Sequence, residues 1–159
     1  MIKLTECPRD AMQGIKDFIP TQKKVKYINQ LLNVGFSTID FGSFVSPKAI
    51  PQLQDTAQVL KQLDLSTTKS KLLAIVANTR GAQDACAFAE ISYLGFPFSI
   101  SETFQQRNTN SSITESLVRV EEIQSLCTKT QQTISSLYFN GIWQSLWRCL
   151  EPRNCNKLV

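Results

Sequence analysis

The chain opens with a short strand pattern that is followed at once by a basic and an acidic side chain. Residues 2–6 alternate in hydrophobicity as a β-strand does, and Arg9 and Asp10 come after its carboxyl end. The planar fork of Arg9 can hold a carboxylate or stabilise a developing oxyanion, and the Asp10 carboxylate is a hard oxygen ligand for a divalent cation. The alternative is a solvated ion pair in a turn, because such pairs are common and contribute little energy. The two residues therefore indicate a candidate site at the end of a strand.

The rest of the chain alternates apolar runs with amphipathic runs. The predicted strands cover residues 2–6, 36–41, 72–77 and 91–96; the predicted helices cover 22–34, 52–63, 80–88 and a run that begins after Ser112; the predicted loops cover 8–20, 42–51 and 98–112. Ser112 and Glu115 have the spacing of a capping box at a helix start. No hairpin signal separates the strands, so the order predicts a parallel sheet in an α/β protein. Periodicity alone leaves open whether the sheet is half of a barrel or a small open sheet.

Length and charge narrow the class of protein. The 159 residues suit one domain, whereas a complete eight-stranded barrel takes about 250 residues. The net charge is +4, and lysine and arginine are scattered instead of forming a stripe, so we expect no nucleic-acid surface. No apolar run approaches the length of a membrane span, so we expect no membrane association. A mildly basic balance would suit a phosphate-bearing substrate, although this clue is weak.

Cysteine and histidine usage excludes several kinds of site. The chain has five cysteines and no histidine, which rules out a histidine-based nucleophile or acid–base pair within this sequence. Cys149 and Cys155 lack the spacing of a zinc site. An odd number of irregularly spaced cysteines is typical of reduced thiols, and we expect a cytoplasmic protein. Cys7 is expected to be a small buried residue with no sign of activation.

Three ordered motifs carry a resemblance to one family. The runs at residues 8–13 (Pro-Arg-Asp-Ala-Met-Gln) and 39–52 (with Ser-Phe-Val-Ser-Pro-Lys at 43–48) resemble the 3-hydroxy-3-methylglutaryl-CoA lyases of the metal-dependent aldolase-type barrel superfamily. The run at 101–113 is the third match. The resemblance extends from about residue 2 to about residue 128. It implies that residues 1–128 form the N-terminal half of a (β/α)8 TIM barrel, about four βα units, and it selects the barrel over the open sheet.

The same resemblance implies roles for particular side chains. Asp10 would be a ligand of a divalent cation, Mg²⁺ or Mn²⁺, and Arg9 would stabilise an enolate oxygen. Gln13 would lie near the metal, and Asp40 would orient groups in the pocket, although its side chain is shorter than the glutamate usual in the family. Ser43 and Ser46 would shape the acyl pocket and Asn78 would hydrogen-bond the substrate. The residues expected near CoA are Glu102, Phe104, Asn108 and Asn110.

Each of these roles has a structural alternative. Asp40 is as readily a partner in a strand-end ion pair, and Ser43 and Ser46 as readily make hydrogen bonds within their own loop. Asn108 and Asn110 are ordinary turn residues, which is the interpretation we favour for them. Phe104 is of a type found more often in a core than against a ligand.

The activity implied is the cleavage of 3-hydroxy-3-methylglutaryl-CoA to acetyl-CoA and acetoacetate, a reaction of leucine degradation and ketone-body formation. The family's metal-binding histidines and catalytic cysteine lie past the end of this chain, so we expect the chain alone to be inactive and poorly folded or aggregating. Intact relatives are expected to be homo-oligomers. Two alternatives stay open: a Claisen-type synthase of the same superfamily, and a non-catalytic α/β fragment that binds CoA or a partner chain.

The pattern breaks after Lys129. Residues 129–159 contain Trp143, Trp147, Cys149 and Cys155 and follow neither the strand nor the helix period, so no fifth strand is predicted there. We interpret this segment as a tail unrelated to the barrel. A one-base shift in plausible codons from Lys129 onward would encode a strand followed by a Gly-Pro-containing loop, and we hypothesise a shifted reading frame. A natural variable C-terminus is the alternative.

Overall fold

The computed structural model describes residues 2–139, which form five strands and six α-helices in alternation. The strands are β1 (Thr5–Glu6), β2 (Thr38–Ser43), β3 (Lys71–Ile75), β4 (Ile91–Ser99) and β5 (Thr133–Phe139); the helices are α1 (Pro8–Gln13), α2 (Thr21–Val34), α3 (Thr56–Leu60), α4 (Thr79–Cys86), α5 (Glu102–Thr109) and α6 (Ile113–Thr130). A 3-10 turn at Pro51–Leu53 precedes α3. The α/β class is therefore as predicted.

All five strands are parallel, and their order in the sheet is their order in the chain. Crossovers between parallel strands are right-handed, so a sheet that always grows in the same direction keeps its helices on one face. An open doubly wound sheet would instead reverse its strand order and place helices on both faces. The observed order is thus that of a section of a (β/α)8 barrel.

The hydrophobic core lies between the sheet and its helices. Alternate strand residues point into it, including Ile39 and Phe41 of β2 and Leu94 and Phe96 of β4, all essentially buried. Helix α2 contributes Ile28 among other residues, so the helical period predicted for it is confirmed. The residues between these core positions point to the other face of the sheet, which corresponds to the interior of a barrel.

Strand β2 contains an irregularity next to the candidate site. Asp40 is opposite Leu73 and Gly42 is opposite Ala74, so β2 has one more residue than β3 over this interval. Such a bulge bends a strand and redirects the side chains beside it. Here it lies directly after Asp40, within β2 and before its last two residues.

Glycine is required where α4 meets the loop after β2. A Cβ on Gly81 would lie 2.6 Å from the backbone oxygen of Phe44. A backbone oxygen cannot swing aside as a flexible side chain can, so the first turn of α4 can approach this loop only without a side chain at position 81. The contact joins two segments that lie at the same end of the sheet.

Two helices occupy segments that the sequence analysis predicted as loops. Pro8–Gln13 forms α1, whose first position holds Pro8, a favoured residue there because its missing N–H needs no partner. Glu102–Thr109 forms α5, which is capped by the Ser101 hydroxyl. Both helices are short and polar, so their apolar period is too weak to reveal them.

The prediction that no strand follows Lys129 is wrong. Strand β5 begins at Thr133 and pairs with β4 over seven residues. Its run of β-branched and aromatic residues suits a strand, and pairing with β4 overrides the weak local pattern. Residues 140–159, including Trp143, Trp147, Cys149 and Cys155, lie outside the described residues. Within residues 2–139 no helix is long and apolar enough to span a membrane.

Candidate functional site

Arg9 and Asp40 form a buried ion pair at the carboxyl end of the sheet. Arg9 is the second residue of α1, directly beyond β1, and Asp40 belongs to the neighbouring strand β2. Arg9 Nη2 donates to Asp40 Oδ2 at 2.5 Å, and Arg9 Nε donates to both carboxylate oxygens at 3.1 and 3.2 Å. The side chains are 8% and 3% exposed. Asp40 therefore reaches its partner although it is shorter than glutamate. It was predicted near the end of its strand, but it is the third of the six residues of β2.

Arg9 also organises two polar side chains on its own helix. Arg9 Nη1 donates to Asp10 Oδ1 at 2.9 Å and to Gln13 Oε1 at 3.0 Å, and Gln13 Nε2 donates to the same Asp10 oxygen at 2.9 Å. Gln13 lies one helical turn beyond Arg9, so the side chains share a face. Asp10 is 61% exposed, which leaves this carboxylate at the open side of the cluster.

Burial and pairing act on the charges of this cluster in opposite directions. Burial disfavours the Arg9 cation, but the hydrogen bonds and negative charge of Asp40 outweigh that effect and raise the pKa of Arg9. Burial also raises the pKa of Asp40 above its usual value, and the Arg9 partner only partly offsets the rise. Arg9 is thus a permanent cation, held in one orientation by three hydrogen bonds to Asp40.

A cavity of about 290 Å³ opens beside this cluster. Its walls include Arg9, Asp10 and Gln13 on one side and Phe104 and Asn108 of α5 on another. Its apolar part comes from loop residues and from the sheet face opposite the core: Val45, Ile50, Ile75, Ala77 and Pro97. Five of the residues predicted from the sequence therefore meet at one cavity, at the end of the sheet where barrel enzymes place their chemistry.

Helix α5 is held against the cavity by a buried glutamine that the sequence analysis missed. Gln105 is 1% exposed. Gln105 Oε1 accepts from the Ser99 backbone N–H at 2.7 Å, and its Nε2 donates to Ser116 Oγ at 2.7 Å and to Thr109 Oγ1 at 3.0 Å. These bonds tie α5 to the end of β4 and to α6. In the sequence, Gln105 does not differ visibly from the polar residues that follow it, Gln106 and Arg107, so no signal pointed to its burial.

A second buried ion pair, also not predicted, fixes the loop that borders the cavity. Lys24 Nζ lies 2.6 Å from Asp55 Oδ1 and also donates to the backbone oxygen of Gln52. The Gln52 side chain in turn donates to the backbone oxygens of Ile15 and Asp17, each at 2.9 Å. The segment after α1 is therefore fastened to the segment that follows Ile50, a residue of the cavity wall.

Three predicted pocket residues border a separate cavity, also of about 290 Å³: Ser43, Ser46 and Asn78. Asn78 Oδ1 accepts from the Gly81 N–H at 2.9 Å and so caps α4. Ser43 Oγ accepts from the Val45 N–H at 3.1 Å and donates to the Ile75 backbone oxygen at 3.3 Å. The bond to Val45 lies within the loop, as the structural alternative for Ser43 predicted, whereas the bond to Ile75 reaches the neighbouring strand β3.

The remaining CoA-proximal candidates, Glu102 and Asn110, do not line the cavity beside Arg9. The Glu102 carboxylate accepts from the Ile113 N–H at 3.1 and 3.3 Å, across the start of α6. Asn110 ends α5 in a left-handed conformation with φ of 50°, as expected of a turn asparagine. Of the four candidates, only Phe104 and Asn108 therefore face the Arg9 cluster.

The described side chains do not by themselves form a metal site. Among residues 2–139, no three histidine, cysteine, aspartate or glutamate side chains are close enough to hold an ion together. Asp40 is engaged by Arg9, so Asp10 is the carboxylate presented to the open side. One carboxylate is too few for a magnesium or manganese ion, which prefers several oxygen ligands.

Known proteins resemble this chain in both sequence and structure. The bovine mitochondrial hydroxymethylglutaryl-CoA lyase is 38% identical over 125 residues, which are 77% of this chain and 37% of that protein. The human cytoplasmic 3-hydroxy-3-methylglutaryl-CoA lyase is 35% identical over the same share of the chain and 33% of its own length. The chain is homologous to the hydroxymethylglutaryl-CoA lyases. No family model matches it.

Solved structures of hydroxymethylglutaryl-CoA lyases share its fold. The enzyme from Acinetobacter baumannii, in complex with coenzyme A and 3-methylmalate, matches 87% of the chain with a TM-score of 0.80 and 31% identity. The enzyme from Bacillus subtilis matches 86% with a TM-score of 0.80 and 33% identity. The chain covers 45% and 46% of these two lyases, and 37% and 33% of the bovine and human ones. It corresponds to part of a lyase barrel.

Proposed function

We propose that the cavity beside Arg9 is part of a site for metal-assisted carbon–carbon cleavage of 3-hydroxy-3-methylglutaryl-CoA. The observation that carries this proposal is the convergence of Arg9, Asp10 and Gln13 on one cavity, with Arg9 locked by Asp40. The homology to lyases gives the reaction class. Since the chain spans less than half of its lyase relatives, their activity is a proposal for this chain and not a property of it.

Arg9 supplies electrostatic stabilisation in this proposal. Cleavage of the carbon–carbon bond leaves an enolate of acetyl-CoA, whose negative oxygen needs a fixed positive partner. The Arg9 guanidinium is already oriented by Asp40, so little reorganisation is needed when the charge develops. Gln13 holds both Arg9 and Asp10 in place and would position polar groups of the substrate.

Asp10 would contribute one oxygen ligand to a divalent cation, Mg²⁺ or Mn²⁺, that polarises the substrate oxygens when it is bound. The other ligands would have to come from outside residues 2–139, because the described donors are too few. We therefore expect purified chain to show no thermal shift with either cation at millimolar concentration. A saturable shift that Asp10→Asn abolishes would mean that the described residues hold the ion without further ligands.

The CoA portion would approach the α5 side of the cavity. Phe104 presents an apolar ring there and Asn108 an amide, which suit the pantetheine arm. Ser43 and Asn78 would contribute to binding only if the substrate also reached the separate cavity that they border, and Glu102 and Asn110 would act by holding the ends of α5 and α6. A thermal shift with CoA that Asn108→Ala weakens, and Asn110→Ala does not, would support this arrangement.

We propose that the 159-residue chain alone has no lyase activity. The test is the release of acetoacetate from 3-hydroxy-3-methylglutaryl-CoA by purified chain with Mg²⁺ or Mn²⁺. Turnover above background that Arg9→Lys lowers would refute the proposed inactivity. A CoA-dependent thermal shift without turnover would favour a binding fragment, and no response in either assay would favour an inert one.

The metabolic role and the cellular location that we propose both rest on the similarity to the lyases. A role in leucine degradation and ketone-body formation follows only if the reaction is the one proposed. For location, the relatives include both mitochondrial and cytoplasmic lyases, and we propose the cytoplasm for this chain. Fractionation of cells that express the chain would check the location, and recovery with mitochondria would contradict it.

A further inference from the structure

Two cysteines that play no part in the proposed reaction meet where α4 and α6 end. Cys86 is the last residue of α4 and Cys127 lies in the last turn of α6. Thr130 Oγ1 lies 3.5 Å from Cys86 Sγ and 3.4 Å from the Cys127 backbone oxygen, so one hydroxyl touches both residues. Helices α4 and α6 contact each other, so the two cysteines are neighbours across this contact.

The Cys86 and Cys127 thiols differ in their exposure to solvent. Cys127 is 2% exposed and belongs to the hydrophobic core, whereas Cys86 is half-buried at its edge. Burial, together with the neighbouring Cys86, raises the pKa of the Cys127 thiol to about 11. A reagent from solution would therefore meet Cys86 first, and Cys127 would stay protonated and protected until its neighbour reacts.

The pair lies at the opposite end of the sheet from the cavity. The ends of α4 and α6 lead into the starts of β4 and β5, and the Gln132 side chain joins the two connections by donating to the Phe88 backbone oxygen at 3.0 Å. Arg9, Asp10 and Gln13 lie in α1, beyond the carboxyl end of β1. A change at the cysteines would thus act on the framework without entering the cavity.

We propose that Cys86 and Cys127 form a disulfide when the chain meets a hydroperoxide, which fastens α4 to α6. In the first step the Cys86 sulfur attacks the peroxide; an S–O bond forms, the O–O bond breaks and one water or alcohol leaves. In the second step the Cys127 sulfur attacks Cys86; the S–S bond forms, the S–O bond breaks and water leaves. Two thiols are oxidised by two electrons, the peroxide is reduced, and the thiol protons end in the released products.

The expected consequence is a more stable fold. The bond would close a loop that contains β4, α5 and nearly all of α6, and closing a loop of this length reduces the freedom of the unfolded chain. We expect peroxide treatment to raise the midpoint of thermal unfolding by about 5 °C. A reductant should reverse the rise.

The test is peptide mapping of the full chain after brief treatment with hydrogen peroxide. Trypsin cuts after Arg80, Arg107, Arg119 and Lys129, so Cys86 and Cys127 fall in separate peptides, residues 81–107 and 120–129. The expected product is these two peptides joined, two hydrogen atoms lighter than their sum. Cys86→Ser and Cys127→Ser should each abolish the product and the thermal shift, whereas Cys7→Ser should leave both.

Two outcomes would overturn the proposal. One is oxidation of Cys86 to sulfinic or sulfonic acid without the joined peptides. The other is the same mixture of cross-linked peptides in native chain as in chain oxidised in urea, because random pairing would then explain the product. Since the readout is a covalent bond away from the cavity, it does not depend on lyase chemistry.

Discussion

Arg9, through its ion pair with Asp40, contributes both to the stability of the fold and to the candidate site. Two charges removed from water cost several kcal/mol each unless geometry and hydrogen bonds compensate. Asp40 meets that need with three hydrogen bonds from Arg9, and Asp10 and Gln13 accept two more from it. The same bonds that offset the cost of burial also fix the guanidinium at the cavity wall, so stability and positioning cannot be separated at this residue.

Replacing Asp40 with asparagine should therefore destabilise the fold strongly. Asp40→Asn keeps the shape but leaves the buried Arg9 cation without its counter-charge, and we expect a loss of about 3 kcal/mol in the free energy of unfolding. Urea titration followed by circular dichroism measures this. Asp10→Asn is the matched control, because that carboxylate is mostly solvated and its loss should cost less than about 1 kcal/mol. Equal losses for the two variants would contradict the structural role of Asp40.

The buried thiol of Cys127 should make stability depend on alkaline pH. Its pKa in the folded chain is about 11, above the usual value of 9.0. The unfolded chain therefore loses this proton first, so the contribution is complete below pH 9 and is lost as the pH rises from 9 to 11. Urea midpoints measured under reducing conditions should fall more steeply over this interval in the natural chain than in Cys127→Ala. Parallel curves would show that the thiol does not have a raised pKa.

At the scale of elements, helices with a local sequence signal could be predicted, whereas helices that depend on contacts with distant residues could not. The start of α6 was predicted because Ser112 and Glu115 form a capping box, and both of its hydrogen bonds are present. Helix α5 was missed because it has no apolar face that a periodicity would reveal. Its stability comes from Gln105, whose partners Ser99 and Ser116 lie 6 and 11 residues away in β4 and α6, so the residue pattern of α5 itself does not reveal the network.

Loss of the Gln105 amide should loosen α5. Gln105→Ala leaves the buried Ser99 N–H and the Ser116 hydroxyl without this partner, and we expect a loss of about 2 kcal/mol and faster hydrogen exchange over Glu102–Thr109. Gln106→Ala is a matched control, because the neighbouring glutamine is exposed. Hydrogen exchange followed by mass spectrometry separates the two, and unchanged protection in Gln105→Ala would argue against the anchoring role.

The contact between α4 and the loop after β2 should not tolerate a methyl group. Gly81→Ala would force the helix away from the Phe44 backbone oxygen, and we expect a loss of about 2 kcal/mol. Gly14→Ala has open space around the added carbon and a negative φ of −87°, so it should be neutral or slightly stabilising. Thermal unfolding of both variants checks the contrast, and a tolerated Gly81→Ala would mean that the two segments can separate without cost.

At the scale of the whole molecule, the class and direction of the sheet could be predicted, and its extent could not. Alternation of strands and helices without hairpins was enough for a parallel α/β fold, and the motif around Ser43 selected the barrel. Strand β5 was not predicted, because hydrophobicity hardly alternates along Thr133–Phe139 and the strand depends on pairing with β4. Which polar residues share a cavity depends on distances between elements, so Asn78 and Asn108 could not be separated in advance.

The shifted-frame hypothesis for residues 129–159 stays a prediction. The presence of β5 does not decide it, because a run rich in threonine, isoleucine, tyrosine and phenylalanine can pair with a strand in either case. Sequencing the gene across codons 128–132 from independent isolates should reveal a lost or gained base relative to intact copies. An unbroken frame with this same tail in several isolates would instead establish a natural variant terminus, and the hypothesis would be abandoned.

The one-directional strand order has a practical consequence for protein engineering. Each strand pairs with the strand before it in the chain. A fusion junction placed after β5 therefore breaks none of the pairings among β1–β5 and leaves the chain connectivity unchanged. The described part can therefore be spliced to the later strands of a homologous lyase, provided that the junction keeps the β4–β5 register. If the proposed metal site is right, such a chimera would receive its other ligands together with the added strands, while Arg9 would already be oriented by Asp40.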